Sequence, residues 1–94
     1  MRCSPSLLTN YGRYMPKNVP SLKPRELIRL LESAGCSYYR EGRGDHRLYM
    51  RVVAGQKRVV PIDMGIREFS PVYVLRIFRQ FGLTDQEIES LLGR

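Results

Sequence analysis

A chain of 94 residues, 43% of them apolar, can form one domain with a modest two-layer core and is too apolar to stay unfolded throughout. Sixteen lysines and arginines against nine acids leave a formal charge of +7, which points to a polyanionic partner such as RNA, DNA or an acidic protein. Two distant cysteines and one histidine exclude a disulfide scaffold and any zinc-ligand spacing, and no apolar run approaches the roughly 18–20 residues that cross a bilayer.

Residues 1–20 hold Pro5, Pro16, Pro20 and three bases without an acid. They read as a flexible N-terminal extension, either a basic arm or sequence upstream of a second candidate initiator at Met15. They lack the continuous apolar core of a secretory signal, so a cytoplasmic protein with no membrane partner is expected. The folded domain is expected over 21–94.

From Pro24 the pattern becomes helical. Proline suits the first helical position and Glu26 the first turn, where a carboxylate favours the helix dipole. Leu27, Leu30, Leu31 and Ala34 recur at helical spacing, and Gly35 is placed to end the helix. A helix over 24–34 follows. Cys36 is expected to be a small buried apolar residue.

Residues 36–41 form a short aromatic strand, broken by Gly42 and Gly44. Residues 47–53 alternate, with Leu48, Met50 and Val52 on one face and Arg47, Tyr49 and Arg51 on the other, which predicts a half-buried antiparallel strand. Ala54-Gly55-Gln56 connects it to a third strand over 57–62, where Pro61 implies a sheet edge or strand end. Ser70-Pro71 then starts a helix whose buried stripe is Val74, Leu75, Phe78 and Phe81, closed by Gly82. Thr84-Asp85-Gln86-Glu87 is a capping-box sequence opening a last short helix with Ile88, Leu91 and Leu92 apolar.

The order is helix, three antiparallel strands, helix and a short C-terminal helix. Two helices over one face of a three-stranded sheet make an α+β two-layer sandwich with the other face open. Arg47, Tyr49 and Arg51 are expected on that open face, facing an anion.

The stretch with the most chemistry is Gly42-Arg43-Gly44-Asp45-His46-Arg47-Leu48-Tyr49, which holds the sole histidine. Metal-free RNA cleavage needs a proton acceptor for the 2′-hydroxyl or a donor for the leaving 5′-oxygen, plus positive charge on the phosphorane. Histidine, with an unperturbed pKa of about 6.5, serves either proton role near neutrality. His46 is therefore the catalytic candidate. Arg43 and Arg47 would clamp the phosphate, Arg51, Lys57 and Arg58 would guide the strand, and amides around Gly42 and Gly44 would form an anion nest. The plainer reading places His46 at the core edge, because it shares parity with Leu48 and Met50. The arginines would then be a solvated face, and Tyr38, Tyr39 and Tyr49 packing residues rather than base-stacking ones.

In this order and spacing, three segments resemble the HicA (YcfA-like) toxins of bacterial type II toxin–antitoxin systems. Lys23-Pro24-Arg25-Glu26-Leu27-Ile28-Arg29-Leu30-Leu31-Glu32 with Gly35 is similar to that family's opening helix. Gly44-Asp45-His46, with Tyr49 three residues on, is similar to its Gly-Ser/Thr-His signature. Arg67-Glu68-Phe69 and the run from Leu75 to Thr84 are similar to its second helix and glycine-leucine ending. The resemblance implies a double-stranded-RNA-binding-domain-like fold and a small endoribonuclease that cleaves mRNA without metal or cofactor. It also implies His46 as the catalytic residue and a HicB-type antitoxin partner. The chain departs from the pattern at Asp45, where a carboxylate replaces the small hydroxyl residue, and at Pro61-Ile62-Asp63-Met64, which lacks the Pro-His often seen in relatives. The alternatives are a non-catalytic RNA-binding or regulatory module on the same scaffold and a basic domain whose partner is an acidic protein.

Overall fold

The computed structural model describes residues 19–93; the expected N-terminal extension lies almost wholly outside the described residues. The elements run α1 (Pro24–Ser33), β1 (Ser37–Glu41), β2 (His46–Val53), β3 (Gln56–Asp63), α2 (Pro71–Gln80) and α3 (Asp85–Leu91). The strands form one antiparallel sheet in the order β1-β2-β3. This is an α+β layout of helix, three-stranded meander, helix and terminal helix. Among the described residues, no helix is long and apolar enough to cross a membrane.

Local chemistry sets the helix ends. At α1 the Lys23 amide donates to Glu26 Oε1 at 2.8 Å, and Pro24 occupies a position whose N–H would have no intrahelical partner. At α2 the Ser70 hydroxyl accepts from the Tyr73 amide at 3.3 Å. At α3 the capping box closes in both directions: Glu87 N–H donates to Thr84 Oγ1 at 3.1 Å and Thr84 N–H to Glu87 Oε1 at 2.8 Å. The Thr84 bonds hold the Glu87 carboxyl below its ordinary pKa.

The core joins the inner sides of α1 and α2 to one face of the sheet. Leu27, Leu31, Phe78 and Phe81 pack in one cluster with Tyr49, Val60 and Ile62. Phe69 and Ile88 complete the cluster. Leu30 and Ala34, expected within the stripe of α1, are only half-buried, and Ile28 is buried in their place.

Two features orient the helices. Leu22 and Phe69, just before α1 and α2, exchange backbone hydrogen bonds of 3.1 and 2.7 Å. At the far ends, Arg51 reaches the carbonyls of Ala34 and Phe81, the residues that close the same helices. The helices therefore run side by side in one direction, with both starts at the end of the sheet where β2 begins.

The sheet presents the opposite face from the one its alternation suggests. Tyr49 is 4% exposed and points into the core, with Arg47 and Arg51 on the same helix-covered side. Leu48, Met50 and Val52, expected inward, line the open face together with Val59, and Val52 is 58% exposed. The reason is reach. A tyrosine supplies more buried area than the leucine beside it, and flanking arginines lay their stems along the core while their guanidinium groups reach its margin.

Candidate nucleic-acid interface

The β1–β2 connection is a tight turn built on glycine. His46 N–H donates to the Arg43 carbonyl at 3.0 Å, and Gly42 N–H donates to the His46 carbonyl at 2.8 Å. Gly44 sits at φ +56°, where a side chain is strained. Gly42 is tightly packed: a Cβ there would lie 3.3 Å from the His46 Cβ, so a larger residue would push on the start of β2. The anion nest expected here is reduced accordingly, because the Gly42 amide is spent within the turn.

His46 starts β2 and faces the open side of the sheet, half-exposed rather than sealed at the core edge. Its Nδ1 lies 3.1 Å from the Arg43 carbonyl oxygen. A carbonyl only accepts, so this contact is a hydrogen bond when Nδ1 carries the proton, and in the neutral ring the lone pair then sits on Nε2. Nε2 has no hydrogen-bond partner among the described residues. The ring lines an open cleft of about 630 Å³ together with Arg40, Glu41, Gly42, Arg43, Leu48 and Pro61.

Asp45 is turned away from this cleft. Its carbonyl accepts from Met64 N–H at 2.8 Å, and its carboxylate lies against Gly65, where any Cβ would collide with it. Asp45, the residue before the histidine, is thus not among those that line the cleft. Among the described residues, no three metal-ligating side chains converge.

A bulge in β1 adds to the open face. The register slips between Tyr38 and Arg40, so Tyr39 and Arg40 both project to the open side while Tyr38 pairs with Tyr49 on the other. Tyr39 reaches across the sheet to β3, where Lys57 Nζ lies 4.6 Å from its ring centroid and 3.4 Å from its hydroxyl. The Arg40 guanidinium lies 5.9 Å from the same ring. Neither Arg40 nor Tyr39 follows from strand alternation, because a bulge breaks the period of two that alternation assumes.

The remaining predicted binding residues divide. Arg43, Gly44 and Lys57 join His46 on or beside the open face. Arg47 points to the helix side, its Nε 3.7 Å from Glu41. Arg51 donates from Nε to the Ala34 carbonyl at 3.2 Å and from a terminal nitrogen to the Phe81 carbonyl at 2.9 Å, with Glu87 at 3.6 Å. Arg58 is exposed at the same helix ends, 3.4 Å from the Gln80 carbonyl. Arg47, Arg51 and Arg58 are thus not brought to the histidine's surface. Beneath Arg51, burial pushes the Cys36 thiol up to about 11, and the guanidinium acts in the opposite direction.

A scan against protein-family models finds no match to this chain, and a search of curated proteins finds none either.

Proposed function

We propose that this chain is a metal-independent endoribonuclease of the HicA type, the toxin of a type II toxin–antitoxin pair, on a double-stranded-RNA-binding-domain-like scaffold. Its substrate is single-stranded RNA or mRNA, its site of action the cytoplasm, and its regulator a HicB-type antitoxin. The observation that carries the reading is the placement of His46: Nδ1 on the Arg43 carbonyl, and a half-exposed ring that lines an open cleft together with Arg40 and Arg43.

The chemistry follows from that placement. Nε2 takes the proton of a ribose 2′-hydroxyl, the 2′-oxygen bonds to phosphorus, and the bond to the 5′-oxygen breaks. The products are a 2′,3′-cyclic phosphate and a 5′-hydroxyl; the imidazolium or water supplies the leaving group's proton. Arg40 and Arg43 stabilise the charge that develops on the phosphorane. One positioned acid–base group contributes about 10²–10⁴-fold, so the enzyme is a modest one.

Replacing His46 tests this directly. Expression of the unmodified chain is expected to arrest growth and cleave RNA in the presence of EDTA, and His46→Ala to do neither. Cleavage that persists in His46→Ala would end the assignment.

A non-catalytic RNA-binding module is favoured by one observation, the exposed Tyr39 ring on the open face with the cations of Lys57 and Arg40 close by. An aromatic so placed offers a stacking platform for an unpaired base. Salt-sensitive RNA binding with no cleavage by the unmodified chain would establish that reading instead.

A further inference from the structure

A second cleft of about 580 Å³ lies on the helix-covered side of the sheet end that carries His46. Lys23, Arg25, Arg29, Arg47 and Arg67 line it, from the start of α1, from β2 and from the segment after β3. Its one carboxylate, Glu26, already accepts from the Lys23 amide. Lys23, Arg25, Arg29 and Arg67 have no ion-pair partner among the described residues, and Arg47 has only a 3.7 Å contact with Glu41. Five cations surround one depression against a single lining carboxylate, and that excess of positive charge favours an anionic occupant.

We propose that this cleft binds consecutive phosphates of a single-stranded nucleic acid, as a site separate from the His46 cleft. The inference rests on reading the partner as a nucleic acid, and does not require His46 to be catalytic. Three observations favour nucleic acid over an acidic protein segment. Arg25 and Arg29 are four residues apart on one helix, a rise of about 6 Å, comparable to the step between successive phosphates of an extended strand. Met64 and Ile66 give the cleft a half-buried apolar lining, on which a ribose or base can lie between cationic walls. His46 and Arg47 are adjacent in β2 and point to opposite faces, so a strand bending over the sheet end leaves one cleft and enters the other.

The test uses fluorescence anisotropy of a labelled single-stranded RNA over a range of salt concentrations, with His46→Ala in every protein so that nothing is cut. Each lost phosphate contact lowers the slope of log K against log salt by about 0.7. Arg67→Ala is expected to lower it by about 0.7, and Arg25→Ala/Arg67→Ala by about 1.4 with affinity down on the order of tenfold at 0.1 M salt. Arg76→Ala, an exposed cation on α2, removes the same charge as Arg67→Ala and is expected to leave the slope unchanged. Circular dichroism confirms that each variant is folded. Equal slopes for Arg67→Ala and Arg76→Ala would overturn the proposal, as would no RNA binding at low salt. Loss of affinity for polyglutamate without loss for RNA would assign the cleft to an acidic protein and overturn it too. RNA cleavage by the unmodified chain with unchanged slopes removes this inference alone, whereas lowered slopes without cleavage remove only the nuclease reading.

Discussion

Arg51 and His46 belong to the same strand and both carry nitrogen donors, yet parity and reach separate them. Arg51 points under the helices, where its guanidinium caps the carbonyl ends of α1 and α2 together. Those ends carry the partial negative charge of their helix dipoles, so a cation there is favourable for two helices at once. Arg51→Ala leaves both carbonyls without this donor. A loss of about 2–3 kcal/mol in unfolding free energy is expected for two charge-assisted bonds at a partly buried site, read from the urea midpoint. A variant as stable as the parent but weaker in RNA binding would instead return Arg51 to the binding residues. His46 has the complementary position: Nδ1 is held against the turn and the half-exposed ring lines an open cleft, an arrangement that suits proton transfer and adds little to stability.

At the scale of elements, the β2–β3 hairpin shows local conflict and its resolution. The strands are joined by two residues, Ala54 at φ 52° and Gly55 at φ 80°. Two positive φ values are what the right-handed twist of a hairpin requires. Glycine adopts this freely, but alanine at Ala54 carries strain of about 1 kcal/mol. The full register from His46–Asp63 to Val53–Gln56 holds the turn in place regardless. Ala54→Asn is therefore expected to stabilise the chain by about 0.5–1 kcal/mol, raising the thermal midpoint by a few degrees. No change, or a decrease, would show that the turn relaxes away from this geometry. The helices show less conflict. Ser70, Thr84 and Pro24 each stand where their side-chain chemistry is useful, so their starts follow from composition alone.

For the molecule as a whole, charge and burial are partitioned. Cations gather at the sheet end where β2 begins, on both faces, while the opposite end uses its arginines on helix carbonyls. At that opposite end, beneath Arg51, Cys36 is 4% exposed, with its thiol pushed up to about 11 by burial. A raised thiol pKa contributes stability that is complete below the ordinary thiol value of about 8.5 and disappears as pH climbs toward the folded value. The stability difference between Cys3→Ser and Cys3→Ser/Cys36→Ala is thus expected to narrow as pH is raised from 8 toward 11. In the same Cys3→Ser background, a thiol reagent at pH 8 is expected to modify native Cys36 only through opening of the fold, far more slowly than in denaturant. Rapid labelling of the native chain would mean that the helix layer opens locally over Cys36.

Much of this architecture is legible in the residues. Pro24, Gly35, Ser70, Gly82 and the Thr84–Glu87 pair mark helix ends through backbone chemistry that acts within a few positions, and strand boundaries agree within a residue. The turn around His46 is legible for the same reason, since Gly42 and Gly44 meet needs internal to that turn. Which face of the sheet the helices cover is not local. Alternation divides β2 into two sets, but only packing against Leu27, Leu31 and Phe78 selects Tyr49 over Leu48 for the interior. That choice carries Arg47 and Arg51 with it, assembles Lys23, Arg25, Arg29 and Arg67 around Arg47, and leaves His46 in the open, because parity ties every side chain of a strand to the fate of its neighbours.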